Sequence, residues 1–462
     1  MDRASAPEGG SGRRGRHRRA RGALSALVVL AATALVIGTG CANVTVLSVS
    51  HAGDADGVTP TAIRVGGMGS LSGFVASSFA PVVTGARAYF AALDAAGGVN
   101  GRRIVYGPVI DDGTSPSGDL VAAQRLVQAK VFAVVGVGTP FFTGSTVLRA
   151  HGVPTFGLQE NTVAQWSGPT LFGAGGSYVD PTLPQPQVPF AVQQVHAHRA
   201  AVLAYNVAQS SDGCISVIKA LAQHRVPTPV IDESIPFGVA SLDADVTRIA
   251  SAGVDFVVTC MDASGNIKLS QTLKQHGLGS AVTQYWLDGY NAQNLRSSPA
   301  ALDGVLFMLQ QTPFEMADLA PRVYPGIDRF VAAMRRYAPG TPLSGPALAG
   351  WASADLFTQG LRAAGADVTR TRVVAAINRL TRYNAAGAYP PVDWTTAHDH
   401  LDRVDCSTFV RARGGRFVPV FAPVTAAYRC FDQIHPPSTR TTLPSGQVPV
   451  VTVPPPPGVP GR

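Results

Sequence analysis

Residues 63–112 constrain the fold more than any other part of this chain. They open on a strand pattern, Ala62-Ile63-Arg64-Val65-Gly66, followed by a loop of small residues ending in Leu71-Ser72-Gly73. Residues 82–96 then form an amphipathic run, with Val83, Ala86, Tyr89, Phe90 and Leu93 at helical spacing. Gly97-Gly98-Val99-Asn100-Gly101 stops that helix with residues that tolerate left-handed backbone. A second strand, residues 103–110, runs into Asp111-Asp112-Gly113. Strand, loop, helix and strand in this order make a right-handed parallel unit. Small ligands are expected at the loop end of such strands.

The alternation continues. Ser115 to Asp119 supply polar N-terminal capping residues for a helix over residues 120–129. Residues 131–137 are an apolar run that suits a strand buried on both faces of a parallel sheet. A helix over 144–151 and a strand over 153–157 follow, then a polar loop, 158–165. Gly, Pro and Gln dominate residues 175–189, which read as a crossover. A second series places strands at 199–205, 228–233, 255–260, 282–287 and 305–310, with helices at 213–224, 241–252 and 267–276 between them. Helices at 327–337, 350–364 and 371–383 and a hairpin over 409–420 close the folded part. The expected fold class is α/β, with two doubly wound, Rossmann-like halves.

The 462 residues carry a net charge of +8, but residues 1–40 hold seven Arg against Asp2 and Glu8, which is +5 and leaves +3 for the rest. That balance gives no reason to expect a nucleic-acid surface. Residues 13–21 are basic, and 23–37 form an apolar core too short for a comfortable membrane span. Gly38-Thr39-Gly40 precede Cys41, and the whole resembles a bacterial lipoprotein signal in which Cys41 becomes the lipidated N-terminus. The departure is Gly38, where that signal usually has Leu; the alternative is an uncleaved anchor. Either places the remainder outside the cytoplasmic membrane, on its outer face. Four cysteines remain, and an oxidising compartment suggests two disulfides. Cys214–Cys260 and Cys406–Cys430 are favoured, because each pair lies within one folded segment. No C-x-x-C or H-E-x-x-H pattern points to a metal.

Several motifs together resemble the type I periplasmic binding proteins, in their leucine/isoleucine/valine-binding branch of ABC-transporter solute receptors. They are Ile63-Arg64-Val65-Gly66, Leu71-Ser72-Gly73, the run from Ala95 to Arg102, Asp111-Asp112-Gly113-Thr114-Ser115-Pro116, the run from Val131 to Gly136, and Gly152-Val153-Pro154-Thr155. The resemblance implies two lobes joined by three crossovers, with a solute trapped between them. Between a leader (1–41), a tether (42–60) and a Pro-rich disordered tail (436–462) read from composition, it divides the chain into lobe one (61–176 plus 312–388) and lobe two (186–308 plus 395–432). It assigns the ligand carboxylate to main-chain and hydroxyl groups at Gly138, Thr139, Asn161 and Thr162, where free N–H groups at helix starts hold an anion. Ser72 and Phe74 reach the cleft in the same scheme, and Tyr205, Asp262 and Asp288 face the solute from lobe two, an acidic group meeting its ammonium. The loop after Tyr205 lacks the aromatic residue common in relatives, and Glu160 adds a carboxylate beside the anion site. Both departures argue against an aliphatic amino acid.

Plainer roles compete with these assignments. Thr139 and Thr162 serve equally well as helix caps, Phe74 as lobe packing and Asp288 as a turn residue. Trp286 and Trp351 read as core, Asp111 and Asp112 as turn-stabilising, and His196, His198 and His276 as surface residues on helices. The expected function is an extracytoplasmic receptor that delivers a small polar amino acid, amide or carboxylate-like solute to an ABC permease. It would act as a monomer, without cofactor. A sensor or scaffold on the same fold is the alternative. Catalysis ranks last: Ser72 and Phe141 stand where dinucleotide loops need a third glycine, and no G-x-S-x-G elbow occurs.

Overall fold

A computed structural model describes residues 53–159, 163–176, 183–238, 241–398 and 404–432. Cys41, Asn161, Thr162 and the Pro-rich tail lie outside the described residues.

The chain begins with β1 (Ala62–Gly69), α1 (Ala76–Ala95), β2 (Arg103–Asp111), α2 (Pro116–Gln128), β3 (Ala133–Gly138), α3 (Ser145–Ala150), β4 (Thr155–Gly157), α4 (Val163–Trp166) and β5 (Leu171–Gly173). These five strands form one parallel sheet in the order β2-β1-β3-β4-β5. The second series is α5 (Gln187–Gln194), β6 (Ala200–Tyr205), α6 (Ala208–Gln223), β7 (Val230–Ile235), α7 (Asp243–Ser251), β8 (Phe256–Cys260), α8 (Ala263–Gln275), β9 (Thr283–Trp286), α9 (Ala292–Ser297), α10 (Pro299–Leu302) and β10 (Leu306–Leu309). Its strands run parallel in the order β7-β6-β8-β9-β10, so the first winding is repeated step for step. The chain returns to the first lobe through α11 (Met316–Leu319), α12 (Pro325–Tyr337), α13 (Gly345–Ala364) and α14 (Arg370–Ile377). It then crosses to the second sheet as β11 (Val404–Arg413), β12 (Arg416–Val420) and β13 (Arg429–Asp432). β11 lies antiparallel to β10, and β12 and β13 both pair with β11.

The local causes are plain. All six residues of β3 and all six of β6 are buried, as parallel strands covered on both faces require. Asp262 caps α8, Ser115 caps α2 and Ser344 caps α13, each accepting a hydrogen bond from a first-turn N–H. Helices α1 and α13 cross over the first sheet at backbone distance. A Cβ on Gly85 would lie 1.8 Å from the Ala347 carbonyl oxygen, and one on Gly350 would lie 1.7 Å from that of Val82. Glycine at both places is therefore a condition of the packing, not a helix preference.

Several boundaries differ from the sequence reading. Helix α1 starts six residues early, at Ala76, and carries Pro81 inside it; a proline there removes one intrahelical hydrogen bond and reads as a start. Helix α14 stops at Ile377, because Tyr383 pairs with Val392 instead of continuing it. Residues 53–60 fold onto the first lobe: the Asp54 carboxylate accepts from Thr371 N and Oγ1, at 2.8 and 2.9 Å. His196 and His198 follow α5 rather than lying on a helix. The disulfides join Cys214 to Cys260 and Cys406 to Cys430.

Candidate functional site

Both sheets direct the carboxyl ends of their strands at one cavity of about 230 Å³. This is where an open, doubly wound sheet is expected to receive a ligand. From the first lobe come Val75 and Phe79 at the start of α1, Pro140 and Phe141 after β3, and Leu158 and Gln159 after β4. From the second come Tyr205, Met261, Asp262, Leu287 and Asp288, each at or just beyond a strand end. The crossovers supply Gln185, Gln310, Gln311 and Tyr389.

Two contacts bridge the lobes at this cavity. Ser78 Oγ, on α1, donates to the Asp288 carboxylate at 3.3 Å. The Phe74 ring meets Phe237 edge-on at 4.7 Å, and Phe237 in turn meets Tyr205 at 5.2 Å. Phe74 is 53% exposed, so it stands at the mouth rather than inside.

The acidic wall is built around Tyr205, whose hydroxyl donates to Asp262 Oδ1 at 2.6 Å. Gly265 makes room for that hydroxyl, since a Cβ there would sit 2.0 Å from it. Burial, followed by the Asp262 charge, raises the Tyr205 hydroxyl well above the ordinary tyrosine range. Asp288 accepts from Gly289 N at 2.6 Å. Burial, and then repulsion from Asp262, push its carboxyl up to about 6. Tyr290, also in the cavity wall, stacks on Phe314 at 4.3 Å and donates to Glu315 at 2.5 Å; burial holds that carboxyl up at about 7. Gln159 is 4% exposed; its Nε2 donates to Gln310 Oε1 at 3.2 Å and its Oε1 has no partner. Gln185 Oε1 is likewise unpartnered.

Of the residues singled out in the sequence, Tyr205, Asp262 and Asp288 converge on the cavity. Ser72 lies on an exposed loop, where its carbonyl accepts from Thr114 Oγ1 at 2.9 Å. Gly138 accepts from Ser70 N at 2.8 Å, and buried Thr139 accepts from Phe141 N at 3.3 Å. Asp112 ties a turn through Ser70 Oγ and Thr114 N. Trp286 and Trp351 are core, while His198 and His276 pair with surface carboxylates Asp255 and Asp243. Sequence reasoning missed Phe79, Phe141, Gln159 and the glutamines of the crossovers. For Phe141, Gln159, Gln310 and Gln311 the one signal was position, within three residues of a strand end, whereas Phe79 and Gln185 had none. Among the described residues, no group of three His, Cys, Asp or Glu side chains is arranged to hold a metal ion.

Two doubly wound parallel lobes, closed on a cavity between their strand ends, define the class of bilobal α/β clamps. Within that class the chain belongs to the periplasmic binding protein family, whose model matches residues 62–416. It is 26% identical over 272 residues to Leu/Ile/Val-binding protein homolog 3 of Brucella melitensis, covering 53% of this chain and 71% of that one. Among solved structures it resembles a fatty acid ABC transporter substrate-binding protein from Thermomonospora curvata, with a TM-score of 0.65 at 17% identity over 87% and 98% of the two chains. It also resembles the branched-chain amino acid transporter substrate-binding protein LivJ of Streptococcus pneumoniae in complex with isoleucine, with a TM-score of 0.64 at 18% identity over 78% and 100%. A third likeness is an R. palustris solute-binding protein in complex with benzoate, with a TM-score of 0.63 at 20% identity over 78% and 95%.

Proposed function

We propose that this chain is an extracytoplasmic solute receptor that encloses a small molecule between its lobes and hands it, chemically unchanged, to an ABC permease. The observation that carries this reading is the cavity built from both sets of strand ends and bridged by Ser78–Asp288 and Phe74–Phe237. Closure is a hinge motion at the three crossovers. Its likeness to ABC-transporter substrate-binding and solute-binding proteins supports the same reading. The basic-then-apolar leader and Cys41 support export followed by lipid anchoring on the outer membrane face, and the two disulfides suit an oxidising compartment. In this reading Tyr205, Asp262 and Asp288 bind the solute, and Phe74 acts as a latch at the mouth.

The test is a thermal-shift screen of the full chain against amines, amides, amino acids and carboxylates, with bound solute recovered and its mass compared before and after incubation. A saturable shift and an unaltered solute are expected. A chemically altered solute would replace transport with catalysis. Intact mass of the membrane fraction decides whether Cys41 carries lipid.

A further inference from the structure

We infer that the solute is a cationic amphiphile: an apolar body with an ammonium-type head that donates hydrogen bonds, and no free carboxylate. This rests on the solute-receptor reading above and narrows its ligand.

Charge comes first. The described residues lining the cavity include two carboxylates, Asp262 and Asp288, and no Lys, Arg or His. An anionic head would meet two negative groups in a partly desolvated space and find no side-chain counter-charge, and such repulsion is strongest where water is excluded. A cation relieves the repulsion between the two carboxylates that already raises Asp288.

Among the described residues, several main-chain donors in the loops after β3 and β1 are already taken by the protein itself. In the loop after β3, Phe141 N is taken by Thr139 Oγ1 at 3.3 Å, Gly144 N by the buried carboxylate of Asp119 at 2.6 Å, and Ser145 N by the Phe142 carbonyl at 3.2 Å. In the loop after β1, Ser70 N is taken by the Gly138 carbonyl and Leu71 N by Asp111. Helix starts hold anions only through N–H groups left free.

Among the described residues lining the cavity, the buried side-chain atoms without a partner are acceptors. Gln159 commits its amide N–H to Gln310 and keeps a buried Oε1 without a donor, and Gln185 Oε1 is in the same state. A buried acceptor without a partner is costly, so a ligand that donates is favoured there. The rest of the first lobe's contribution is apolar: Val75, Phe79, Pro140, Phe141 and Leu158. Facing them, Phe237, Met261, Leu287 and Met308 continue the apolar lining. One end of the solute is thus hydrocarbon or aromatic, and the other end donates.

The experiment compares three molecules of one skeleton on the full chain by calorimetry at neutral pH: 2-phenylethylamine, 2-phenylethanol and phenylacetate, with leucine and benzoate as further probes. The amine is expected to bind about tenfold or more tightly than the alcohol, with no measurable binding of phenylacetate or benzoate. Asp288→Asn is expected to weaken the amine by about tenfold more than it weakens the alcohol; if that variant does not fold, the wild-type comparison decides alone. Tighter binding of a carboxylate or of leucine than of the amine overturns the inference while the receptor reading stands. If none of the five binds, native mass spectrometry of protein purified from its host separates the two claims. A co-purified amine supports the inference, a co-purified acid overturns it, and an empty chain overturns both.

Discussion

Gly350→Ala tests the packing that holds one wall of the site in place. The added methyl would sit 1.7 Å from the Val82 carbonyl oxygen of α1, whereas a carbon–oxygen contact at a close helix crossing is about 3.3 Å. The helices must therefore part by roughly 1.6 Å at that point. Neither side can yield by turning a rotamer, because the obstacle is backbone. Overpacking costs about 1–3 kcal/mol, and a rigid obstacle belongs at the upper end; helix propensity returns about 1 kcal/mol. The expected net loss is about 2 kcal/mol. For a folded body of this size, unfolding entropy near 2.1 cal/mol/K per residue converts that to a melting-temperature drop of about 2–3 °C. Scanning calorimetry with a urea series measures both. The control is Gly213→Ala on α6, where a Cβ meets only Cys260 Sγ at 3.9 Å; it should be neutral or raise stability by up to about 1 kcal/mol. Gly85→Ala added to Gly350→Ala should cost less than the sum of the two, since one parting accommodates both methyls. A Gly350→Ala chain as stable as the parent would refute a backbone-to-backbone crossing.

Gly265→Ala should drive the Tyr205 hydroxyl off Asp262, given the 2.0 Å approach of the new carbon; solute affinity should fall by about tenfold or more, read by calorimetry. Asp119 is fully buried, and burial holds its carboxyl up at about 7. The folded chain keeps that proton after the unfolded chain has lost it near pH 4, so its contribution to stability falls as pH rises from about 4 to 7, by a few kcal/mol at most. Asp119→Asn should flatten that part of a stability–pH profile, leaving the parallel slope from Glu315. Loss of the Cys214–Cys260 disulfide, which spans 46 residues, should cost about 4 kcal/mol, against about 3.5 kcal/mol for Cys406–Cys430, which spans 24; paired Cys→Ser variants in denaturant titrations give the order.

The central strands were legible because parallel strands buried on both faces must be apolar runs, and β3, β6 and β8 are such runs. The three residues of β5 and four of β13 were not, since so short a segment has no period to detect. Pro81 hid the first turn of α1, and with it Phe79 as a cavity residue. The acidic wall was readable, because Tyr205, Asp262 and Asp288 sit beside recognisable strand ends. Thr139 was harder: it is buried, and its hydroxyl accepts from Phe141 N in a local turn. The crossover glutamines carry no local pattern, and only tertiary assembly brings Gln159 to Gln310.

The crossing of α1 with α13 also fixes a schedule. Their partners are some 260 residues apart, as the Gly85–Ala347 contact shows, while β6 to β10 pair within one continuous stretch of chain. During synthesis the finished first sheet lacks the cover of α13 while about 190 further residues are added, from the end of β5 to the end of α13, on the order of 10–40 s at ordinary ribosome speeds. The second lobe in turn waits for β11, the strand that pairs with β10 and is made after α13. Apolar surface left open during that interval is prone to aggregation, so a fragment cut before α13 should aggregate, not fold into half a receptor.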